Sequence, residues 1–221
     1  MADDQANPIP RRAVLAGALL GALSGCTTSR RPGDKPRAAA SPTSSGGGSV
    51  LLAYFSRAGE NYWNGGRRRL AVGNTQVVAE TIGRLIGCDV HRIEAADPYP
   101  DDYDPTVERN VREQQADARP AMANPLTSID RYDTVLLGSP IWNVRAPMIM
   151  STFTESLDFA GKTIHPFTTY AMSGMGTTEG DYTASCPGAT LREGLAVRGE
   201  EAADAGPAVE AWLRRIGLLT R

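Results

Sequence analysis

The sequence predicts an α/β fold in which a parallel sheet carries helices on both faces, preceded by a non-globular leader. Short, continuously apolar runs recur, as strands buried on both faces require. Segments with apolar residues at helical spacing fall between those runs. Low complexity stops abruptly at Val50 of the 221 residues. Five strands interleaved with helices over residues 50–221 fit one doubly wound domain.

Ahead of that domain, Arg11-Arg12 precede an apolar run from Ala13 to Leu23. The run is shorter than the roughly 20 residues that a membrane-spanning helix needs. Small residues follow it, so residues 1–25 read as an export signal, and the adjacent arginines suggest the twin-arginine route. Leu23-Ser24-Gly25-Cys26 resembles a bacterial lipobox, which puts a lipid on Cys26. The alternative is an ordinary thiol after an ordinary signal. Residues 26–49 are rich in Ser, Thr, Pro, Gly, Ala and Arg. They offer too little apolar surface to offset ordering entropy and read as a flexible tether.

The domain opens with Val50 to Phe55 as a central strand. Val77, Val78, Ile82, Leu85 and Ile86 form the apolar face of a helix that Gly87 ends. Asp89 to Glu94 is a more polar strand near an edge. Asp104-Pro105 looks like an N-cap with proline at the first helical position, and Val107 and Val111 share one face of that helix. Asp133 to Gly138 is the third strand, and Pro147 opens a helix through Met150, Phe153 and Leu157. Lys162 to Tyr170 is the fourth strand and Ala189 to Val197 the fifth. A last helix near Pro207 aligns Val209, Trp212, Leu213 and Ile216, and Gly217 stops it.

Composition excludes several functions. Lys+Arg 23 against Asp+Glu 25 gives a formal charge of -2, with no basis for a general nucleic-acid binder or for steering toward a basic partner. Three cysteines do not make a disulfide scaffold. Cys88 and Cys186 read as buried thiols, or as a disulfide if the fold of an exported protein joins them. The two histidines leave little for a metal site or a catalytic triad: His165, before Pro166 at a strand start, reads as structural, and His91 sits on the edge strand with no obvious carboxylate partner. Hydrolase and zinc motifs are absent.

Ligands of doubly wound sheets bind at the carboxyl ends of the strands, where the winding direction switches. Strand one is followed by Ser56, an excursion from Arg57 to Val72, and then Gly73-Asn74-Thr75 at a helix start. Hydroxyls and an open helix N-terminus suit a phosphate; a capped helix with Ser56 in a turn is the bland alternative. Asn64-Gly65-Gly66 predicts a small hairpin inside the excursion. Its Arg67-Arg68-Arg69 either face the phosphate, a redox partner or anionic lipid, or form a solvated charge run. Strand three is followed by Ser139-Pro140-Ile141-Trp142-Asn143, whose indole packs on a flat ligand or fills a gap. Strand four is followed by Ala171 to Thr178, whose glycines allow close backbone approach.

Together with Pro98-Tyr99-Pro100, Tyr103 and Cys186-Pro187-Gly188-Ala189, these strand ends resemble the flavodoxin family over nearly all of residues 50–221. The resemblance implies a five-stranded sheet in the order 2-1-3-4-5 and FMN as cofactor. It implies that Ser56, Asn74 and Thr75 hold the phosphate and that Pro140, Ile141, Trp142 and Asn143 lie beside the isoalloxazine ring. Ser173, Gly174 and Gly176 would run along the other edge of the ring. No catalytic residue and no metal are implied, because electron transfer belongs to the cofactor and the protein tunes it. The expectation is an exported FMN-binding redox protein, lipid-tethered at the outer face of the cytoplasmic membrane through Cys26. A single-electron carrier is expected over a dedicated quinone-type oxidoreductase, with its redox partner unspecified. A cofactor-free binding lipoprotein on the same fold is the alternative, motivated by the interrupted phosphate loop.

Overall fold

In the computed structural model residues 49–220 are described, so the export signal, Cys26 and most of the tether lie outside the described residues. β1 (Val50–Phe55), β4 (Asp89–Ile93), β5 (Thr134–Pro140), β6 (Thr163–Tyr170), β7 (Thr190–Leu191) and β8 (Leu195–Arg198) form one sheet. Its order is β4-β1-β5-β6-β7, with β8 also on β6, and every pairing is parallel. With the outer pair counted as one broken strand, this is the 2-1-3-4-5 order. β2 (Gly59–Trp63) and β3 (Gly66–Leu70) form the separate hairpin.

β1 and the first half of β5 are apolar on both faces because successive side chains enter two different cores, whereas the edge strand β4 is polar and largely exposed. Leu51, Ala53 and Phe55 pack with α3 (Met148–Glu155) and α4 (Thr178–Ser185) on one face. Leu52 and Tyr54 pack with α1 (Asn74–Leu85) and α5 (Gly206–Arg215) on the other. Trp212 sits at the centre of the second core, fully buried, and its indole N–H donates to the Glu193 carbonyl at 3.2 Å.

Several elements differ from expectation. The fifth strand is broken at residues 192–194. Arg192 donates its amide to Ile164 O, so even-numbered residues of β6 turn their backbone groups toward the outer strand. Pro166 has no N–H to offer there, and the ladder lapses opposite it. α2 (Tyr103–Gln115) begins two residues earlier than expected, with Asp102 as N-cap residue, so Asp104 lies in the first turn. α4 and a 3-10 turn at Gly199–Asp204 have no periodic signal; α4 is held by burial of Thr178 and Tyr182 at one face. Cys186 is buried, Cys88 half-buried, and neither is bonded; burial pushes the Cys186 thiol up to about 12.

Both histidines pack against aromatic rings of the two cores. His165 is buried against Trp212 with Nδ1 at 2.8 Å from Glu193 O, and His91 stacks on Phe153. Burial lowers both pKa values from 6.5. The folded protein therefore binds fewer protons than the unfolded chain, and stability is full above about pH 6.5 and declines below it. The melting temperature should fall between about pH 7 and pH 5, and His165→Gln should reduce that fall. An unchanged slope would remove His165 from the titration.

Candidate functional site

The carboxyl ends of β1, β5 and β6 open into a cavity of about 510 Å³. Ser56, Asn74, Thr75, Pro140, Ile141, Trp142, Asn143 and Ser173 all line it. Gly174 and Gly176 do not line it. They shape the turn behind it, with the Gly174 carbonyl accepting from Thr168 and Gly176 packed on the Val144 carbonyl.

One end of the cavity is an amide and hydroxyl cradle. Gly73 is the N-cap residue of α1 and offers no side-chain cap, so the amides of Asn74 and Thr75 lack intrahelical acceptors. The excursion leaves and returns at one point. A Cβ on Gly73 would lie 2.4 Å from both Ser56 Oγ and the Arg57 carbonyl, so residues 56 and 73 are pressed together despite their separation in sequence. Ser56 Oγ accepts the Gln76 amide at 3.0 Å, which leaves its own proton free to donate. Thr75 and Thr169 hydroxyls are 2.7 Å apart and both line the cavity. One proton joins the pair, and the second remains for another acceptor. Asn74 lies over Gly199, where a Cβ would meet its amide nitrogen at 2.5 Å. A dianionic ester fits this donor set.

The other end is aromatic and apolar. Trp142 is held edge-on by Tyr99 at 5.1 Å and Phe55 at 5.7 Å. Its turn is tight, with amide–carbonyl bonds between Trp142 and Arg145 and positive φ at Asn143 (48°) and Val144 (66°). A β-branched residue in that region costs on the order of 1–3 kcal/mol, strain of the kind found at ligand sites. Gln114 fixes the turn from α2, donating to Trp142 O at 3.1 Å and accepting from Asn143.

Sequence reasoning missed the α2 wall, where Tyr103, Thr106, Val107, Asn110 and Val111 line the cavity. The shared face of Val107 and Val111 was the available signal. That face meets the cavity rather than a core, which is why Val107 stays 41% exposed. Val144 and Met172, also exposed, line the same mouth, giving it an apolar rim.

The excursion is a hairpin with an Asn64-Gly65 turn at φ 46° and 82°. It closes one side of the cavity without filling it, and Asn61 and Tyr62 line the space. Its arginines are engaged within the molecule. Arg67 pairs in a fork with Asp104 at 2.9 and 2.5 Å and lies over Tyr103, while Arg69 meets Asp102 at 2.7 Å. Arg68 covers the Trp63 ring at 4.5 Å. Arg57, whose pKa burial lowers, holds the Pro100 and Asp101 carbonyls. Among the described residues there is no cluster of three or more potential metal ligands and no helix long and apolar enough to cross a membrane.

This sheet order, with a helix N-terminus and two loops converging at the switch point, defines a flavodoxin-like domain. The flavodoxin family model matches residues 69–216, and the chain belongs to that family. A candidate flavoprotein from Bacteroides uniformis is 31% identical, at a TM-score of 0.62, over 76% of this chain and 99% of its own. One from Bacteroides eggerthii is 30% identical, at a TM-score of 0.60, over 77% and 98%. A Lactobacillus acidophilus flavoprotein, solved in complex with FMN, shares the fold at 17% identity and a TM-score of 0.51, over 73% of this chain and 99% of its own. No curated protein matches the chain.

Proposed function

We propose that this protein binds FMN and transfers electrons through it. The observation that carries the reading is the cradle at the start of α1, where amides without intrahelical acceptors and hydroxyls with a proton left to donate converge at one end of a cavity whose other end is aromatic. Ser56, Asn74 and Thr75 would hold the phosphate, and Trp142 with its fixed turn would pack beside the ring. Bound FMN supplies one- and two-electron chemistry. The protein's own part is to orient the ring, exclude water with Trp142 and Tyr62, and present the apolar rim of Val107, Val144 and Met172 to whatever exchanges electrons. The near-neutral charge offers no long-range steering, and a carrier role relies on that rim.

The visible spectrum of the chain from residue 49, which contains both cores, tests this reading. Flavin bands support it, whereas colourless protein that fails to quench FMN fluorescence favours the cofactor-free alternative. Thr75→Val should lower FMN affinity by about 1–3 kcal/mol, because it removes a hydroxyl donor to a charged acceptor and orphans Thr169. Unchanged affinity in a fluorescence titration would take Thr75 out of the phosphate site.

Export through the twin-arginine route and lipidation at Cys26 complete the proposal. That route carries folded proteins, which suits a domain that must take up a cytoplasmic flavin before crossing. Cys26→Ser should release the protein from the membrane fraction; retention there would contradict lipidation.

A further inference from the structure

The hairpin is fastened to the two sides of the cavity very unequally. On the α2 side Arg67 and Arg69 pair with Asp104 and Asp102, Glu60 accepts the Tyr103 amide at 3.1 Å, and Arg57 grips the carbonyls before α2. On the opposite side a single bond crosses to the 3-10 turn. The Asn64 amide, at the tip, donates to Glu200 Oε1 at 2.9 Å. The Glu200 side chain is only 9% exposed, lines the cavity, and has Arg198 Nε 3.9 Å away. Asn61 and Tyr62, between root and tip, face the cavity.

A two-stranded ribbon is marginally stable by itself, so its position depends on these attachments. Arg57, Glu60 and Arg69 fasten the root, Arg67 fastens the level of Tyr62, and one bond holds the turn beyond them, so thermal opening occurs at the tip first. We propose that β2–β3 is a hinged strap across the cavity, that Glu200 is its catch, and that release of the Asn64–Glu200 bond gates the entry and exit of the flavin. The inference rests on the FMN reading. A gate differs from a ligand contact in its kinetics. Opening precedes both entry and exit, so a weaker catch raises both rate constants and leaves the equilibrium constant nearly unchanged.

The test uses Glu200→Ala and Glu200→Gln in the chain from residue 49, with FMN as the probe. Loss of a hydrogen bond to a charged group should raise the open population, and with it both the association and dissociation rates, by roughly tenfold or more in Glu200→Ala. Between Glu200→Ala and Glu200→Gln, which carry the same charge, Kd should agree within about threefold, since both rates share the opening step. Glu200→Gln keeps an amide oxygen as acceptor and should fall between the variant and the parent. In flavin-free protein, hydrogen exchange at the amides of residues 61–65 should quicken in Glu200→Ala. A rise in the dissociation rate alone would make Glu200 a direct ligand contact and overturn the gate, as would unchanged rates or unchanged exchange. If the parent protein takes up no FMN, the functional reading fails separately, and hydrogen exchange still decides whether Glu200 holds the strap.

Discussion

Replacing Gly73 with alanine should abolish tight flavin binding while the domain still folds. The backbone of Gly73 is ordinary, at φ -69° and ψ 146°, so alanine is conformationally acceptable there. Space is what fails. The new methyl would lie 2.4 Å from both the Arg57 carbonyl and Ser56 Oγ, and Ser56 is anchored to the Gln76 amide. Either the loop or the helix start must retreat, and the donors no longer converge on one acceptor. Losing two hydrogen bonds to a charged group costs about 3 kcal/mol or more, a weakening of at least roughly 100-fold. The packing strain itself, about 1–3 kcal/mol, leaves a typical domain folded. Fluorescence titration of FMN with a parallel thermal melt separates the two effects. An unchanged Kd would mean that the cradle does not hold the phosphate.

Trp212→Ala should produce the largest loss of stability of any single truncation proposed. The indole is fully buried in the core formed by α1, α5 and one face of the sheet, and it meets the His165 ring edge-on at 6.3 Å. Truncating a buried tryptophan costs about 3–5 kcal/mol, and the indole N–H partner, Glu193 O, loses its donor as well. That is a large share of the roughly 5–15 kcal/mol that holds a domain together. Urea unfolding should show a lower midpoint at an unchanged slope. A midpoint within error of the parent would mean that the second core does not depend on this residue.

What was legible in the sequence follows from where the free energy lies. β1 and β5 are buried on both faces, and the apolar runs at Val50–Phe55 and at residues 135–137 leave no competing reading; β6 is as buried but mixes Thr and His with its apolar residues. The Asn64-Gly65 turn is written in residues that tolerate positive φ, so the hairpin was readable before its partners were. α4 was not, because TEGDYTAS has two buried side chains and no amphipathic repeat, and tertiary contact decides its shape. The break between β7 and β8 depends on Pro166 in a neighbouring strand, information that no local window contains. In the site, Ser56 and Gly73-Asn74-Thr75 were visible as residue types suited to phosphate, but their meeting across the excursion was not. The role of Arg67 and Arg69 was hidden for the same reason: their acidic partners lie more than thirty residues away, on the first turn and N-cap of α2.

The central claim is that the α1 cradle recognises a phosphate, and comparison of FMN with riboflavin at the same protein tests it most directly. The two ligands share the ring and the ribityl chain and differ only in the ester. The account predicts that FMN binds at least roughly 100-fold more tightly than riboflavin, the difference that two charge-assisted hydrogen bonds supply. Equal affinities would contradict it, because the amides of α1 and the hydroxyls of Ser56 and Thr75 would then contribute nothing to recognition.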